Sequence, residues 1–287
     1  MKITPFAKIC EGQDGAIFAS ELFRFDHVGN CTVYDLSDVG SFSDAELSPI
    51  AKFRLGSADI IAPHSNAVCF GTEYYEPEDE YPLLYSNVYN NYDDCEDKRI
   101  GVCCVYRIRV AGGKFSADLV QTIEIGFTED AQLWRASEKK HGHRPYGNFV
   151  VDTERGKYYA FVMRNEELGT RYFEFDLPKA KDGFVDERTG SRRVVLNASD
   201  IKRRFDCSYH RFIQGATVKG GVIYSTEGFD YDEVNRPAIR LINSERGEEE
   251  YFDLTVQGYM IEPELIDFLG DKCIYGDARG NLYTIEF

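Results

Sequence analysis

A chain of 287 residues with a formal net charge of −16 is a poor partner for nucleic acid, because phosphate binding requires a basic surface. Its hydrophobic content of 43% excludes a disordered chain, and its 19 Tyr and 20 Phe favour strands over helices. No segment approaches the ~18 consecutive apolar residues of a membrane span. We therefore expect neither nucleic acid nor a membrane among its partners.

The cysteines indicate a reducing compartment. Of the eight, five lie inside apolar, strand-like runs, where buried free thiols are usual: Cys31, Cys69, Cys103, Cys104 and Cys273. The segment from Met1 to Phe6 lacks the apolar run of a secretory leader. These features predict a cytoplasmic protein. Since no Cys-x-x-Cys pair occurs, we expect no metal site and no cofactor.

Strand-like runs recur along the chain in groups of four, and each run is closed by Gly, Asn or Asp. The groups fall at 11–57, 58–128, 143–200 and 208–257, and a fifth group at 258–287 has only three runs. Residues 1–10 supply the missing run, because Ile3–Ile9 has the pattern of a strand. Sharing one sheet between both termini closes a ring and leaves no free edge. The pattern predicts an all-β fold, a single five-bladed β-propeller whose N-terminal strand completes the last blade.

The segments between the runs are predicted less directly. The outer strand of the third blade is expected at Arg193–Asn197. Residues 198–206, which hold the basic cluster Lys202–Arg204, are expected to contain helical turns, as are residues 129–142. Polar stretches such as 92–99 are expected to be surface loops.

The segments that enter the inner strands hold the candidate ligand site. In a propeller these segments meet on one face, around the mouth of the central channel. Imidazole, amide and phenol groups occur there in the second, third and fourth blades, and we predict that they bind a ligand: His64, Asn66, His143, Tyr146, Asn148, His210 and Gln214. Such groups suit a hydroxyl-rich or amide ligand. The alternative, that the amides only tie neighbouring blades together, remains open.

Two segments resemble known propeller families. Phe212–Ala216, followed by Gly220–Gly228, resembles a blade of plant-type glutaminyl cyclotransferases, which have an F-x-Q-G turn and an E-S-T-G element; in this chain the order is S-T-E-G. Glu262–Phe268 resembles their acidic inner-strand motif, and also the E-P-E-G element of propellers related to teichoic acid biosynthesis protein C and to phage receptor-binding proteins. The resemblance covers about two blades and implies five blades, with either cyclotransferase activity or an association with cell-wall glycans.

Three functions fit these observations. The first is a ligand-binding propeller that recognises a saccharide or glycoconjugate at the channel mouth, with tyrosine rings stacking on the sugar. The second is an enzyme at the same site. In a cyclotransferase, Glu264 or Glu262 would shuttle a proton, whereas glycan cleavage would need one of them opposed to a second acid such as Asp14. The third is a protein-interaction scaffold. We favour the first hypothesis.

Overall fold

Five antiparallel blades repeat around a common axis in the computed structural model, which describes residues 1–39, 42–61, 64–88, 102–127, 149–210 and 212–287. Strands are numbered in chain order, and within each blade they are named from the axis outwards. The first blade contains β2 (Gly15–Phe18), β3 (Glu21–Phe25), β4 (Asn30–Asp35) and β5 (Ala51–Arg54). The second contains β6 (Ser65–Phe70), β7 (Leu84–Val88), β8 (Val102–Ala111) and β9 (Lys114–Ile125).

The remaining three blades follow the same plan. The third contains β10 (Phe149–Asp152), β11 (Lys157–Asn165), β12 (Gly169–Asp176) and β15 (Arg203–Cys207). The fourth contains β16 (Ile213–Lys219), β17 (Val222–Glu227), β18 (Ala238–Asn243) and β19 (Glu249–Asp253). The fifth contains β20 (Pro263–Leu269), β21 (Lys272–Asp277), β22 (Asn281–Glu286) and the N-terminal β1 (Lys2–Lys8). The predicted all-β, five-bladed propeller is confirmed.

The two termini close the ring through the fifth blade. Strand β1 pairs antiparallel with β22 along its length. Ala7 and Ile9 are buried and pack in one cluster with Leu22 of the first blade and Leu282 of β22. The N-terminal segment therefore satisfies the outer edge of the last sheet and also contributes to the core between the fifth and first blades. The predicted closure is confirmed.

Aromatic side chains fill the space between blades, because alternate residues of a strand point to opposite faces of its sheet. Phe23 of the first blade packs edge-on against Tyr81 of the second, with 5.3 Å between ring centroids. Tyr224 of the fourth blade packs against Phe268 of the fifth at 5.0 Å. Edge-to-face contacts of this kind are favourable for aromatic pairs. The five cysteines expected in the core are buried free thiols, as predicted.

The third blade differs from the prediction in its outer strand. Residues Arg192–Leu196 (β14) leave this blade and pair in parallel with β9 of the second blade. The short strand Phe184–Val185 (β13) then extends the second sheet further. The outer strand of the third blade is β15, in the segment where the sequence predicts helical turns. The strand predicted at Arg193–Asn197 is therefore present but belongs to the second sheet, and the helical assignment of residues 203–206 is wrong.

Side-chain alternation explains why β15 is a strand. Phe205 and Cys207 point to one face of the strand, and Arg204 and Asp206 point to the other. Arg203 shares the first face, where its guanidinium lies 5.0 Å from the centre of the Phe205 ring. Phe205 stacks on Tyr172 of β12, with 5.1 Å between centroids and 5° between ring planes. On the other face, Asp206 forms an ion pair of 2.7 Å with Arg171 of β12. These cross-strand pairs favour the sheet over a basic helix.

Helical structure is sparse in the described ranges, where it comprises short 3-10 helices at Ala198–Asp200 and Leu254–Gln257. The helical turns predicted at 129–142 and the loop predicted at 92–99 lie outside the described residues. Within those residues, none of the helices has the length and apolar composition needed to cross a membrane.

The inner strands approach one another closely at the axis. A Cβ atom on Gly215 would lie 2.3 Å from the carbonyl oxygen of Glu264 and 3.0 Å from the Asp14 side chain, so only glycine fits there. Asn66 Nδ2 donates a hydrogen bond of 3.0 Å to the carbonyl oxygen of Gln214. This bond joins the second and fourth blades across the axis. Polar side chains at the ends of these strands are consequently within bonding distance of one another.

Candidate functional site

Polar side chains from three blades form a hydrogen-bonded chain at the mouth, the end of the axis where the backbone enters the inner strands. His64 Nε2 donates to Gln13 Oε1 at 2.8 Å. Gln13 Nε2 in turn donates to Glu264 Oε1 at 3.2 Å. Burial lowers the pKa of His64 to about 4, so its ring is neutral at pH 7 and serves as a single N–H donor in this chain.

A second chain of polar groups joins the fourth and fifth blades. Gln214, the second residue of β16, donates from Nε2 to Glu262 Oε1 at 2.5 Å and to the carbonyl oxygen of Gly228 at 3.1 Å. Its own backbone carbonyl accepts the bond from Asn66. The structure thus brings together five of the residues singled out from the sequence: His64, Asn66, Gln214, Glu262 and Glu264.

Buried charges lie directly beneath the mouth. Asp14 and Glu264 are almost fully buried, and burial raises the pKa of each carboxyl group well above its usual value. The buried Arg24 guanidinium partly offsets this, because its positive charge favours the ionised carboxylates. Arg24 itself donates to the carbonyl oxygens of Gly12 at 2.6 Å and Asp277 at 2.9 Å. These groups are inside the protein, so they position the mouth without being exposed to a ligand.

Glu262 is the acid that reaches the mouth itself. Its side chain is only partly buried, unlike that of Glu264 two residues later. Burial, and to a smaller extent the nearby charge of Asp230, raise the pKa of Glu262 to about 7. The hydrogen bond from Gln214 acts in the opposite direction and lowers this pKa. A carboxyl group with this pKa exchanges its proton near neutral pH.

An aromatic rim lies beside these polar groups. Phe212 is 40% exposed and its ring lies 4.5 Å from that of Phe229, while Tyr231 in the same loop is 59% exposed. Phe212 has a φ of +55°, a rare conformation for a bulky residue and one that persists only where the surroundings hold it. Its carbonyl oxygen accepts from Gly228 N at 3.0 Å, and the Gly228 carbonyl accepts from Gln214.

The aromatic loop is fastened to the segment that carries Glu262. Tyr231 N donates to the Met260 carbonyl oxygen at 2.8 Å, and Glu262 N donates to Asp230 Oδ1. Arg279 pairs with Asp230 at 3.2 Å and places its guanidinium 6.0 Å from the centre of the Tyr231 ring. The rings and the acid are therefore held as one surface. The rim was not predicted from the sequence, although Phe212 is the first residue of the F-x-Q-G turn.

Of the other predicted site residues, the structure describes His210, which does not join this group. His143, Tyr146 and Asn148 lie outside the described residues. His210 is fully buried and packs between blades, with its ring 5.8 Å from that of Tyr172. Its backbone N–H donates to Thr170 Oγ1 at 3.0 Å, which fixes the chain where it crosses from the third blade to the fourth.

The described residues of the mouth offer hydrogen-bonding groups, the faces of aromatic rings and the carboxyl group of Glu262. Gln13, Gln214 and His64 supply amide and imidazole groups, and Glu262 supplies an acceptor that can also take up a proton. Ring nitrogens and carboxylates are ordinary metal ligands, but His64 Nε2 is engaged by Gln13, and His210 lies elsewhere. The histidines of the described mouth therefore do not assemble a set of metal ligands.

Comparison with solved structures shows that this chain is similar to other propellers in fold. No protein-family model and no curated protein matches the chain. The structure of Myxococcus xanthus glutaminyl cyclase aligns over 100% of this chain and 94% of its own, at 12% identity and a TM-score of 0.49. The WD40 propeller domain of Doa1 aligns over 99% and 97%, at 12% identity and a TM-score of 0.41. Chaetomium thermophilum Raptor aligns over 99% of this chain but only 21% of its own, at 12% identity and a TM-score of 0.40. Such low identities say nothing about activity.

Because the pKa of Glu262 is raised in the folded protein, the stability of the protein should depend on pH. A proton that the native state keeps up to about pH 7 is lost from the unfolded chain near 4.5, so ionising Glu262 costs stability as pH rises through this window. Glu262→Gln removes that cost. The free energy of unfolding of the variant, relative to that of wild type, should rise by about 1–2 kcal/mol between pH 5 and pH 8. The difference is no larger because solvent screens the partly exposed carboxyl group.

Urea unfolding at a series of pH values measures this difference. The matched control is Glu233→Gln, which removes the same charge from an exposed position in the loop between β17 and β18. A stability difference between Glu262→Gln and wild type that is constant from pH 5 to pH 8 would contradict the assignment.

Proposed function

We propose that the protein binds a saccharide or glycoconjugate at the mouth of the propeller. The observation that carries this proposal is the exposed rings of Phe212 and Tyr231 beside the hydrogen-bonded pair of Gln214 and Glu262. A sugar ring has two weakly polar faces of C–H groups and an edge of hydroxyl groups. Aromatic rings pack against the faces, and amide and carboxylate groups bond to the hydroxyls.

Pre-organisation supports the same conclusion. The loop 228–231 is bonded to the segment that carries Glu262, and Phe212 is held at a positive φ by its bond from Gly228. A surface that is already ordered loses less conformational entropy when a ligand binds. Amide and carboxyl groups that are bonded to each other from separate blades also keep a fixed spacing, which permits selection among hydroxyl patterns.

Charge narrows the class of saccharide. Glu262 and Asp230 place two carboxyl groups at the mouth. With a formal net charge of −16, the protein repels sulfated, phosphorylated or uronic-acid-rich glycans. The ligand we expect is a neutral oligosaccharide or one that carries an amino group.

The raised pKa of Glu262 favours a second candidate, an acid–base enzyme at the same mouth. The sequence resemblance to glutaminyl cyclotransferases suggests the reaction. The α-amine of an N-terminal glutamine attacks its own side-chain carbonyl carbon, the bond from that carbon to the amide nitrogen breaks, and ammonia leaves. Glu262 would take a proton from the amine and return it to the departing nitrogen. Glu264, buried behind it, would position Gln13.

Ammonia release from a peptide with N-terminal glutamine tests this second candidate. Glu262→Gln should lower kcat by about 100-fold or more, and the wild-type rate should depend on a group with a pKa of about 7. Glu233→Gln, on an exposed position, should retain the wild-type rate. If the wild-type protein releases no ammonia, the cyclotransferase candidate is rejected while saccharide binding is unaffected.

An array of neutral and amino-sugar oligosaccharides, followed by calorimetric titration of the best-bound member, tests the main proposal. Removing a stacking ring with Phe212→Ala or Tyr231→Ala should weaken binding about tenfold, since such a contact is worth about 1 kcal/mol or more. Gln214→Met should have at least as large an effect, because it also leaves Glu262 without its donor.

Matched controls are available on surfaces remote from the mouth. Phe184→Ala removes an exposed ring from β13, and Tyr74→Ala removes an exposed ring from a loop of the second blade. Both should bind as wild type does. Saccharide binding is ruled out if no member of the array binds, or if the mouth variants bind as tightly as these controls.

A further inference from the structure

A second polar cluster lies between the outer strands of the third and fourth blades. Cys207 ends β15, His210 lies on the crossing to β16, and Glu249 begins β19. A thiol sulfur, a ring nitrogen and a carboxylate oxygen from these residues all lie within 4.8 Å of one another. Three side-chain types that bind zinc are thus brought together from three separate segments.

His210 is the unusual member of this cluster. Its ring is fully buried and packs against Phe161 and Tyr172, with centroid distances of 6.4 and 5.8 Å. Neither ring nitrogen has a hydrogen-bond partner among the residues that the structure describes. Buried polar atoms are nearly always bonded, because leaving them without a partner costs free energy. A bound ion would satisfy the imidazole where hydrogen bonds do not.

The neighbouring charges are compatible with a cation. Arg240 is bonded twice by Glu227, at 2.6 Å from Nε and 3.2 Å from Nη2, which partly offsets the positive charge of its guanidinium. Glu227 Oε1 also lies 3.8 Å from His210 Nδ1. In zinc sites a carboxylate commonly accepts the second N–H of a ligand imidazole and orients its ring. Glu227 is the carboxylate that would take this role on ion binding, after closing the present 3.8 Å separation.

Glu249 retains acceptor capacity and faces solvent. Its carboxylate accepts hydrogen bonds from Ser208 N at 3.0 Å and from Arg240 Nη1 at 2.9 Å. A carboxylate has about four acceptor positions, so these two bonds leave room for a metal. Glu249 also lines a cleft of about 410 Å³, together with Ser208, Tyr209, Glu227, Arg240 and Tyr251. The cleft opens on the Glu249 side of the cluster, while Cys207 and His210 are buried.

We propose that Cys207, His210 and Glu249 bind Zn²⁺, with a water molecule from the cleft as the fourth ligand. Ordinary zinc bond lengths in a tetrahedral site place the ligand atoms about 3.4–3.6 Å apart. The three atoms need to approach one another by at most roughly 1.4 Å to meet that spacing. The open fourth position makes this a site of exchangeable ligation, unlike a closed structural zinc. The proposal is independent of any ligand at the mouth.

Titration of chelator-treated protein with Co²⁺ and Zn²⁺ tests the proposal. We expect one ion per chain. The Co²⁺ complex should show a near-ultraviolet charge-transfer band from the Cys207 thiolate and visible bands of four-coordinate cobalt, and Zn²⁺ should displace it. Cys207→Ser should abolish the near-ultraviolet band. Glu249→Gln, on the solvent side of the site, should weaken zinc binding at least about tenfold without disturbing the core.

Neighbouring residues provide matched controls. Glu248→Gln changes the exposed acid next to Glu249. Cys10→Ser removes a partly exposed thiol between β1 and β2. Both should bind Co²⁺ and Zn²⁺ as the wild type does. The site is refuted if the folded wild-type protein binds neither ion at micromolar concentration. It is equally refuted if the ion binds as tightly, with the same spectrum, in Cys207→Ser and Glu249→Gln.

Discussion

The hydrogen bonds that buried carboxylates accept from neighbouring blades hold the centre of the propeller together. Asp14 of the first blade accepts from Val68 N of the second at 2.7 Å, and Asp267 of the fifth accepts from Ile17 N of the first at 2.6 Å. Each bond satisfies a backbone N–H that would otherwise be buried without a partner. The cost is the removal of negative charge from water, which raises the pKa of Asp267 to about 6.

The chemistry of the mouth follows from this arrangement. Strands that are tied so closely leave no space for Gly215 to carry a side chain, and they bring Gln13, Glu264, Gln214 and Glu262 to one end of the axis. The acids deepest in the protein are bonded internally, whereas Glu262 at the rim is partly exposed. Asp14 and Glu264 are thus closed off from solvent, whereas the side chain of Glu262 is partly exposed beside the aromatic loop.

The sequence predicted the repeats and the closure of the ring because strand periodicity and turn residues are local signals. It also predicted that His64, Gln214 and Glu262 would meet, since each lies near the start of an inner strand. It was wrong about the sheet to which β14 belongs and about the strand β15, because strand partners are chosen by long-range contacts such as that of Phe205 with Tyr172.

Long-range contacts also determine the mouth and the cluster of Cys207, His210 and Glu249. His210 stands at the expected offset before its inner strand, but packing against Tyr172 keeps it away from the mouth. The aromatic rim depends on the backbone conformation of Phe212, which has no local signal in the chain. Cys207 and His210 are three residues apart, and Glu249, the third residue of the proposed zinc site, comes from another blade. Non-local geometry of this kind cannot be derived from the periodicity of one sequence.

A double-mutant cycle between Gln13 and Glu264 tests most directly whether polar groups from separate blades meet at the axis. The two residues are 251 positions apart in the chain and joined by one side-chain hydrogen bond. Free energies of unfolding at pH 7 for Gln13→Met, Glu264→Met and the double variant should give a coupling energy of about 1 kcal/mol. A coupling energy below about 0.3 kcal/mol, with all three variants folded, would contradict convergence of these blades at the mouth.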